Sequence, residues 1–279
     1  MLDQRSTRRP WLLYAISAVL VLMVLSPIAT VFAGSFLNTA FLGLSSEQWV
    51  REAGNETTNL FTFKWFGYVL QLYRPQMLFG VQLAVANVAV CLVIGIPGAY
   101  ALVRDRVPGC GLLEDLLMLP LTLPGLTIAI GLLQAYSLIR GKWWLILAGQ
   151  LLYTMPFMVR SITGALRSYD HASMERASRS LGAGFWQTAW HVTLPNVRHA
   201  VVVGSLLVFA ISWGEFNVSF LLNTPLFQGF PAALYATYTH NSFQVSSAAT
   251  VLFLMVIIPV LLVIQAIGGR EMGKIEQAA

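Results

Sequence analysis

Two apolar blocks of membrane-spanning length flank the segment SYDHASMERASRSLGAGFWQTAWHVTLP, which runs from Ser168 to Pro195. The preceding block ends at Leu166, and the following one begins at Val197. A helix needs about 20 apolar residues to cross the hydrocarbon core of a bilayer, and both blocks are long enough. The segment between them is polar and charged. This alternation predicts an all-α membrane protein with a structured polar connection between two of its spans.

Local signals predict a short amphipathic helix in the first part of this connection. Ser168 or Asp170 can cap its N-terminus. Met174, Ala177 and Leu181 follow at i, i+3 and i+7, so they would share one face. The connection is therefore expected to present an apolar stripe on an otherwise polar helix.

A glycine turn and a second helical turn complete the predicted helix-turn-helix. Gly182-Ala-Gly184 is typical of a helix end, because glycine adopts the left-handed conformation found there. A second amphipathic turn from Phe185 to Val192 is expected to stop at Pro195, since proline lacks a backbone donor.

The whole chain of 279 residues is too apolar for a soluble protein. Its mean hydropathy is +0.68, and 10% of its residues are charged, against about 25% in soluble domains. The net charge of +5 does not indicate nucleic-acid binding, because no Lys/Arg run is interleaved with aromatics. Cys91 and Cys110 suggest neither a disulfide framework nor a metal site.

Apolar blocks separated by charge, proline and glycine predict six membrane spans. The predicted ranges are Trp11–Ala33, Met77–Val103, Leu112–Ile139, Trp143–Leu166, Val197–Leu222 and Ala248–Gly268. The first apolar run is longer than the core of a signal peptide, so we expect it to be retained. Two further long connections are predicted, a polar one from Gly34 to Gln76 and an uncharged one from Asn223 to Ser247, and partners could bind there.

The distribution of basic residues predicts the orientation. Most of the 17 Lys and Arg residues fall on the side of the predicted spans that carries the N-terminus, so both termini are expected to be cytoplasmic. Arg140 and Lys142 would face outward against this rule. An arrangement in which the third and fourth blocks are re-entrant would hide these two residues and is the alternative topology.

The spacing of Gly182, Val192 and Leu194-Pro195 resembles the EAA loop of binding-protein-dependent ABC importer permeases. Further segments resemble the same family and occur in family order: Gly95-Ile-Pro97-Gly-Ala-Tyr100-Ala-Leu, Leu119-Pro120-Leu-Thr-Leu-Pro124-Gly125 and Ser212-Trp-Gly-Glu215-Phe. Together these motifs extend from Phe79 to Gln265.

The resemblance implies the six-helix type I importer fold. Residues 1–76 would form a peripheral helix and a periplasmic connection, and residues 77–279 a core permease domain with a coupling loop at about 167–196. It also implies two ATPase subunits carrying ATP and Mg, a second permease (identical or a paralogue) and a periplasmic solute-binding protein. No cofactor is expected on this chain, which would be a multi-pass protein of the bacterial inner membrane.

The loop departs from the family pattern at one position. Arg176-Ala177-Ser178 aligns with Glu-Ala-Ala, so an arginine stands where the family usually has glutamate, and Glu175 lies one position early. The residues that the resemblance assigns to ATPase coupling are Glu175, Arg176, Ala177, Ser178, Gly182, Val192, Leu194 and Pro195.

One acidic residue, Glu215, lies well inside the fifth predicted span. Burying a carboxylate in hydrocarbon is costly unless it faces a cavity or a partner group, so Glu215 has either a structural role or a place on the translocation path. Its polar neighbours Ser212, Asn217 and Ser219 would share that path.

Two prolines interrupt the third predicted span. Pro120 and Pro124 are each expected to kink it, because proline removes a helix hydrogen bond. The kinks fit either ordinary helix packing or a bent helix that lines a path able to open and close.

No phosphate-binding Gly-rich loop, zinc-binding His-Glu-x-x-His or Gly-x-Ser-x-Gly elbow occurs in the sequence, so a transport subunit rather than an enzyme is predicted. A secondary transporter or channel is the alternative, although the inverted repeats typical of many secondary transporters are not visible. Trp213-Gly-Glu215-Phe and Asn223-Thr-Pro225 resemble permeases for polyamines, phosphonates, iron or thiamine. A small polar solute such as a polyamine or phosphonate is the expected substrate.

Overall fold

The computed structural model describes residues 10–38, 60–104, 109–168 and 171–278, and these ranges are almost entirely helical. The helices are α1 (Pro10–Phe36), α2 (Lys64–Val103), α3 (Cys110–Thr122), α4 (Gly125–Ala135), α5 (Trp143–Ser168), α6 (His171–Ser180), α7 (Phe185–Thr188), α8 (Leu194–Gly214), α9 (Asn217–Leu222), α10 (Phe230–His240) and α11 (Phe243–Ala278). A 3-10 turn, Ser137–Ile139, follows α4, and a π-helical turn, Ala189–Thr193, joins α7 to α8.

Within the described ranges, five helical stretches are long and apolar enough to cross a membrane. They contain α1, α2, α5, α11 and the continuous run from α7 to α8. The pair formed by α3 and α4 gives a sixth span if the two helices are counted as one. The predicted all-α fold with six spans is confirmed on that count.

One compact unit combines Met1–Leu72 with Leu234–Leu254. In this unit the end of α1 packs on aromatic side chains, with the rings of Phe36 and Phe63 5.3 Å apart. The indole nitrogen of Trp65 donates to the carbonyl of Leu37 at 3.3 Å. A Cβ on Gly34 would collide with the ring of Phe243, so glycine permits this approach between α1 and α11.

The other compact unit comprises Tyr73–Ala233 and Met255–Ala279. Its described residues include two apolar cores. One surrounds the fully buried Met158 and Ile162, where α2, α5 and α8 meet. The other surrounds Leu83, Ile146 and Val218, where α2, α5 and α9 meet. Both sites considered below lie in this unit.

Two of the predicted connections contain helix. The second span begins at Lys64 rather than Met77, and Thr62 accepts a hydrogen bond from the Lys64 amide at 3.2 Å. The predicted connection Asn223–Ser247 includes α10. Hydropathy marks where a chain enters hydrocarbon, so it misses helical turns that extend beyond the membrane and helices too short to cross it. The predicted division at residue 76 stays a prediction.

The third predicted span, Leu112–Ile139, is broken rather than merely kinked. The axes of α3 and α4 differ by 100° across the break at Leu123 and Pro124. Leu123 is extended (φ −91°, ψ 139°), the conformation favoured for a residue that precedes proline. Pro120 remains inside α3, so the two prolines are not equivalent.

Candidate functional site

A glycine turn closes α6 and fixes the direction in which the chain leaves it. Gly182 has φ +83°, a conformation that glycine adopts without strain. The amide of Ala183 donates to the carbonyl of Ser178 at 3.1 Å, and the Gly182 amide donates to the carbonyl of Arg179 at 2.9 Å. This pair of bonds is the Schellman motif. The predicted glycine turn is therefore present with its full hydrogen-bond pattern.

Side chains hold α7 against the end of α6. The Gly184 amide donates to Oε1 of Gln187 at 2.9 Å, which satisfies a free donor at the start of α7. The hydroxyls of Ser178 and Thr188 lie 3.0 Å apart, and Thr188 is buried. The two short helices thus form one compact element.

The predicted apolar stripe of α6 is exposed. Met174, Ala177 and Leu181 all face outward in this chain, and the Leu181 side chain is 89% exposed. We call these three residues the exposed face of α6. Large exposed apolar side chains on an ordered helix are a common sign of a protein interface.

The buried face of α6 carries Glu175, which is 7% exposed. The hydroxyl of Tyr100 donates to Oε1 of Glu175 at 2.6 Å. The guanidinium groups of Arg104 and Arg179 each lie 3.7 Å from its other oxygen. Arg176, the next residue, is exposed and donates to the hydroxyl of Ser173 at 2.8 Å.

The prediction that the second turn stops at Pro195 is wrong. The helix continues from α7 through the π-helical turn into α8, and Pro195 lies in the first turn of α8. Because proline lacks a backbone donor, the helix departs from regular α geometry in the π-helical turn directly before it. Val192 and Leu194 therefore belong to a continuous helix, while Asp170 lies outside the described residues.

The fifth predicted span, Val197–Leu222, is also broken, and Glu215 lies at the break. Glu215 is extended (φ −72°, ψ 115°) between α8 and α9. Its carboxylate accepts hydrogen bonds from the amides of Val218, at 3.0 and 3.1 Å, and Ser219, at 3.0 Å. A carboxylate before a helix N-terminus satisfies free amides and complements the helix dipole.

A glutamine that the sequence analysis did not single out bridges this break. Oε1 of Gln150 accepts from the hydroxyl of Ser212 at 2.6 Å, and its Nε2 donates to the hydroxyl of Ser219 at 3.2 Å. Gln150 is buried in α5. A polar side chain within an apolar block was the available signal, since such residues often bond between membrane helices.

The start of α4 packs against the start of α9. A Cβ on Gly125 would lie 2.6 Å from Nδ2 of Asn217 and 3.0 Å from the hydroxyl of Tyr153. The structure thus brings the predicted path residues Ser212, Glu215, Asn217 and Ser219 together at one break and places the start of α4 beside them. Among the residues that the structure describes, no group of His, Cys, Asp and Glu could hold a metal ion.

Comparisons with known sequences agree with this architecture. The sequence model of a family described as "Binding-protein-dependent transport system inner membrane component" matches residues 92–274, more than half of the chain. The molybdenum transport system permease protein ModB of Escherichia coli (strain K12) is 34% identical over 176 residues, covering 55% of this chain and 76% of that protein. The spermidine/putrescine transport system permease protein PotC of the same strain is 27% identical over 208 residues, covering 72% and 78%.

A solved structure has the same fold. It is a bacterial ABC transporter involved in the import of the acidic polysaccharide alginate, with a TM-score of 0.69 and 21% sequence identity. The match covers 95% of this chain and 99% of that chain.

Proposed function

The chain belongs to the family of binding-protein-dependent transport system inner membrane components, and from this premise we propose how it works in its transporter. It is a transmembrane permease subunit of an ABC importer with the type I fold, a multi-pass inner-membrane protein and not an enzyme, because the ATPase of such importers is a separate subunit. Its proposed role is to form half of the substrate path and to couple that path to the ATPase through α6 and α7.

The exposed face of α6 is the observation that carries this proposal. Leu181 and Met174 are 89% and 43% exposed on a helix that is otherwise fixed by the Gly182 turn and by the buried Glu175. Exposing apolar side chains on a rigid element costs free energy unless a protein partner or the lipid headgroup region covers them. An ATPase subunit seated on this face would bury them.

The proposed position of α7 is the cytoplasmic membrane surface. Trp186 and Trp190 are 72% and 62% exposed, and tryptophan is enriched where headgroups meet hydrocarbon. Arg104, Arg176 and Arg179 lie on the same side of the spans, as expected for a cytoplasmic face under the positive-inside rule. The ATPase, a cytoplasmic subunit in this proposal, would then meet α6 directly.

The proposed assembly also contains a second permease and a solute-binding protein. Glu215 and its neighbours, with the start of α4, form the proposed wall of the path on this chain. The second permease, identical or a paralogue, would supply the other wall. Alternating access would follow from ATP binding and hydrolysis, which shift the population between inward-facing and outward-facing states.

The proposed substrate is a small inorganic oxyanion of the molybdate type. The relative with the higher identity of the two named above is a molybdenum permease. The carboxylate of Glu215 already accepts hydrogen bonds from the amides of Val218 and Ser219, so it is poorly placed to bind a cationic amine. A polyamine is the second candidate, because PotC is also similar to this chain.

Uptake by intact cells tests the substrate. Cells lacking this chain, with and without the wild-type gene restored, are given radiolabelled molybdate or spermidine. Restored molybdate uptake is expected. Restored uptake of spermidine alone would replace the oxyanion with the polyamine.

Substitutions of Gly182 test the coupling. No atom lies within 4 Å of a Cβ built there, so a substitution acts through the backbone conformation alone. Asparagine tolerates positive φ, whereas a β-branched valine is strongly disfavoured. Gly182→Val is expected to insert normally but to lose ATPase co-purification and uptake, while Gly182→Asn retains both. Full ATPase retention and uptake in Gly182→Val would refute the coupling role of this turn.

A further inference from the structure

Four side chains join the end of α2 to α6, although Tyr100 and Glu175 are 75 residues apart in sequence. Tyr100 is in the last turn of α2 and Arg104 follows it, while Glu175 and Arg179 are one turn apart on α6. Nη1 of Arg104 also donates to the hydroxyl of Tyr100 at 3.0 Å. Tyrosine, glutamate and arginine thus form a continuous chain of polar contacts.

The buried charge in this cluster makes it a strong link between α2 and α6. Glu175 is 7% exposed, and a buried carboxylate is costly unless charged and hydrogen-bonding partners compensate it. Its partners come from both elements, Tyr100 and Arg104 from the α2 side and Arg179 from α6. Separating α6 from α2 would leave the carboxylate without its shortest hydrogen bond.

The other side-chain contacts between α6 and the membrane spans are weaker hydrogen bonds than those in this cluster. Nδ1 of His171 lies 3.0 Å from the carbonyl of Leu166 on α5, close to the chain connection itself. The amide of Asn196 on α8 meets the sulfur of Met174 at 3.4 Å, and sulfur is a poor acceptor. Among these contacts, the cluster on Glu175 is the charged and buried one.

We propose that Tyr100, Arg104, Glu175 and Arg179 form a clamp that makes α6 and the end of α2 move as one body. A displacement that the ATPase imposes on α6 is then transmitted to the membrane mainly through α2. Glu175 is a positioning residue that faces the permease itself, and the exposed Arg176 is the charged neighbour that remains on the outer surface. This inference rests on the proposed docking of the ATPase on α6.

Pulsed EPR distances on the complete transporter test the clamp. Spin labels are attached at Ser180 on α6 and Ile94 on α2, both exposed, in a chain carrying Cys91→Ala and Cys110→Ser. The complex is co-purified with its ATPase through a tag on this chain, placed in lipid nanodiscs and measured with and without ATP. The wild-type distance is expected to be narrowly distributed and unchanged by ATP.

Two conservative variants remove the central hydrogen bond from its two sides. Tyr100→Phe keeps the ring contact with Phe185, and Glu175→Gln keeps the side-chain shape. Each is expected to broaden the distance distribution at least about twofold and to lower uptake by about 2- to 30-fold, the range seen when coupling residues are changed. The double variant should be no worse than the singles, because residues in one contact are not additive.

Glu114→Gln is the matched control. It removes an ion pair with Arg167, 2.7 Å long, that links α3 to α5 without touching α6. The distance distribution and uptake should stay as in the wild type. An equal broadening in this control would show that any lost ion pair loosens the chain and would overturn the clamp.

The outcomes separate the clamp from the docking on which it rests. Tyr100→Phe and Glu175→Gln proteins that retain the ATPase and keep a narrow distance distribution would overturn the clamp and leave docking intact. A wild-type chain that fails to retain the ATPase would overturn the docking and with it the transmission through α2.

Discussion

The two glutamates that are buried in the described part of this permease are compensated in opposite ways. Glu175 is held by side chains from a distant part of the sequence, with Tyr100 and Arg104 on one side and Arg179 on the other. Glu215 is held by backbone amides three and four residues further along its own chain. Their exposures are nearly equal, 7% and 9%, so burial alone does not distinguish them.

Glu175 therefore links two helices that are distant in sequence, whereas Glu215 stabilises the interruption between two consecutive helices, α8 and α9. Loss of the Glu175 contacts should loosen α6 from α2 while leaving each helix intact. Loss of the Glu215 carboxylate should instead leave the amides of the buried residues Val218 and Ser219 without their acceptor at the start of α9. The first change should affect transmission, and the second should affect stability.

Glu215→Leu is expected to have the largest effect on stability. It leaves the amides of Val218 and Ser219 without their acceptor, and each unsatisfied group costs roughly 1–3 kcal/mol. Thermal unfolding of the purified chain, followed by tryptophan fluorescence, should show Tm lowered by about 5–20 °C.

Glu215→Gln separates the structural role from a role of the charge in transport. The amide oxygen can still accept, so stability and uptake should remain within about twofold of the wild type. A stable Glu215→Gln protein that has lost uptake would place the negative charge on the translocation path. A wild-type Tm in Glu215→Leu would show that these hydrogen bonds contribute little.

Gly149→Ala should have an intermediate effect on stability, because Gly149 on α5 packs against Val218 on α9. The added Cβ would lie 2.6 Å from a methyl of Val218, and overpacking of this kind costs roughly 1–3 kcal/mol. Gly164→Ala is the matched control on the same helix, since nothing lies within 4 Å of its Cβ. The Tm of Gly149→Ala should be lower than that of Gly164→Ala. Equal Tm values would mean that α9 can shift to make room for the added methyl group.

The two arginines of the clamp should differ, with smaller effects than the substitutions above. Arg104 is 21% exposed and also bonds Tyr100, whereas Arg179 is 42% exposed and makes only a 3.7 Å contact within α6. An exposed ion pair such as that of Arg179 with Glu175 contributes roughly 0.2–1 kcal/mol to stability. Hydrogen exchange of the α6 amides should quicken more in Arg104→Gln than in Arg179→Gln, and the reverse order would contradict this clamp geometry.

Sequence patterns reveal the spans and the Gly182 turn because both depend on short-range physics. An apolar run of about 20 residues reports a crossing directly. A glycine after an amphipathic helix reports its left-handed end, as Gly182 does with φ +83°. These features need no knowledge of what lies nearby in space.

The break at Glu215 and the clamp depend on tertiary partners, so the sequence did not disclose them. Gln150 stabilises the break at Glu215 from another helix. Tyr100 was visible only as part of a family-like motif, and its partner Glu175 lies on a different element. The sequence pattern placed the apolar stripe of α6 on one face but could not tell that this face would remain exposed.

Crosslinking from Ala177 tests the central claim that α6 docks on the ATPase. A benzophenone maleimide is attached to Ala177→Cys, in the centre of the exposed face, in the complete transporter. Leu138→Cys, in the 3-10 turn between α4 and α5, is the control. Leu138 is fully exposed, so both sites accept the reagent. We predict a light-dependent adduct with the ATPase from position 177 and none from position 138. The absence of an adduct from position 177 both with and without ATP would contradict the account.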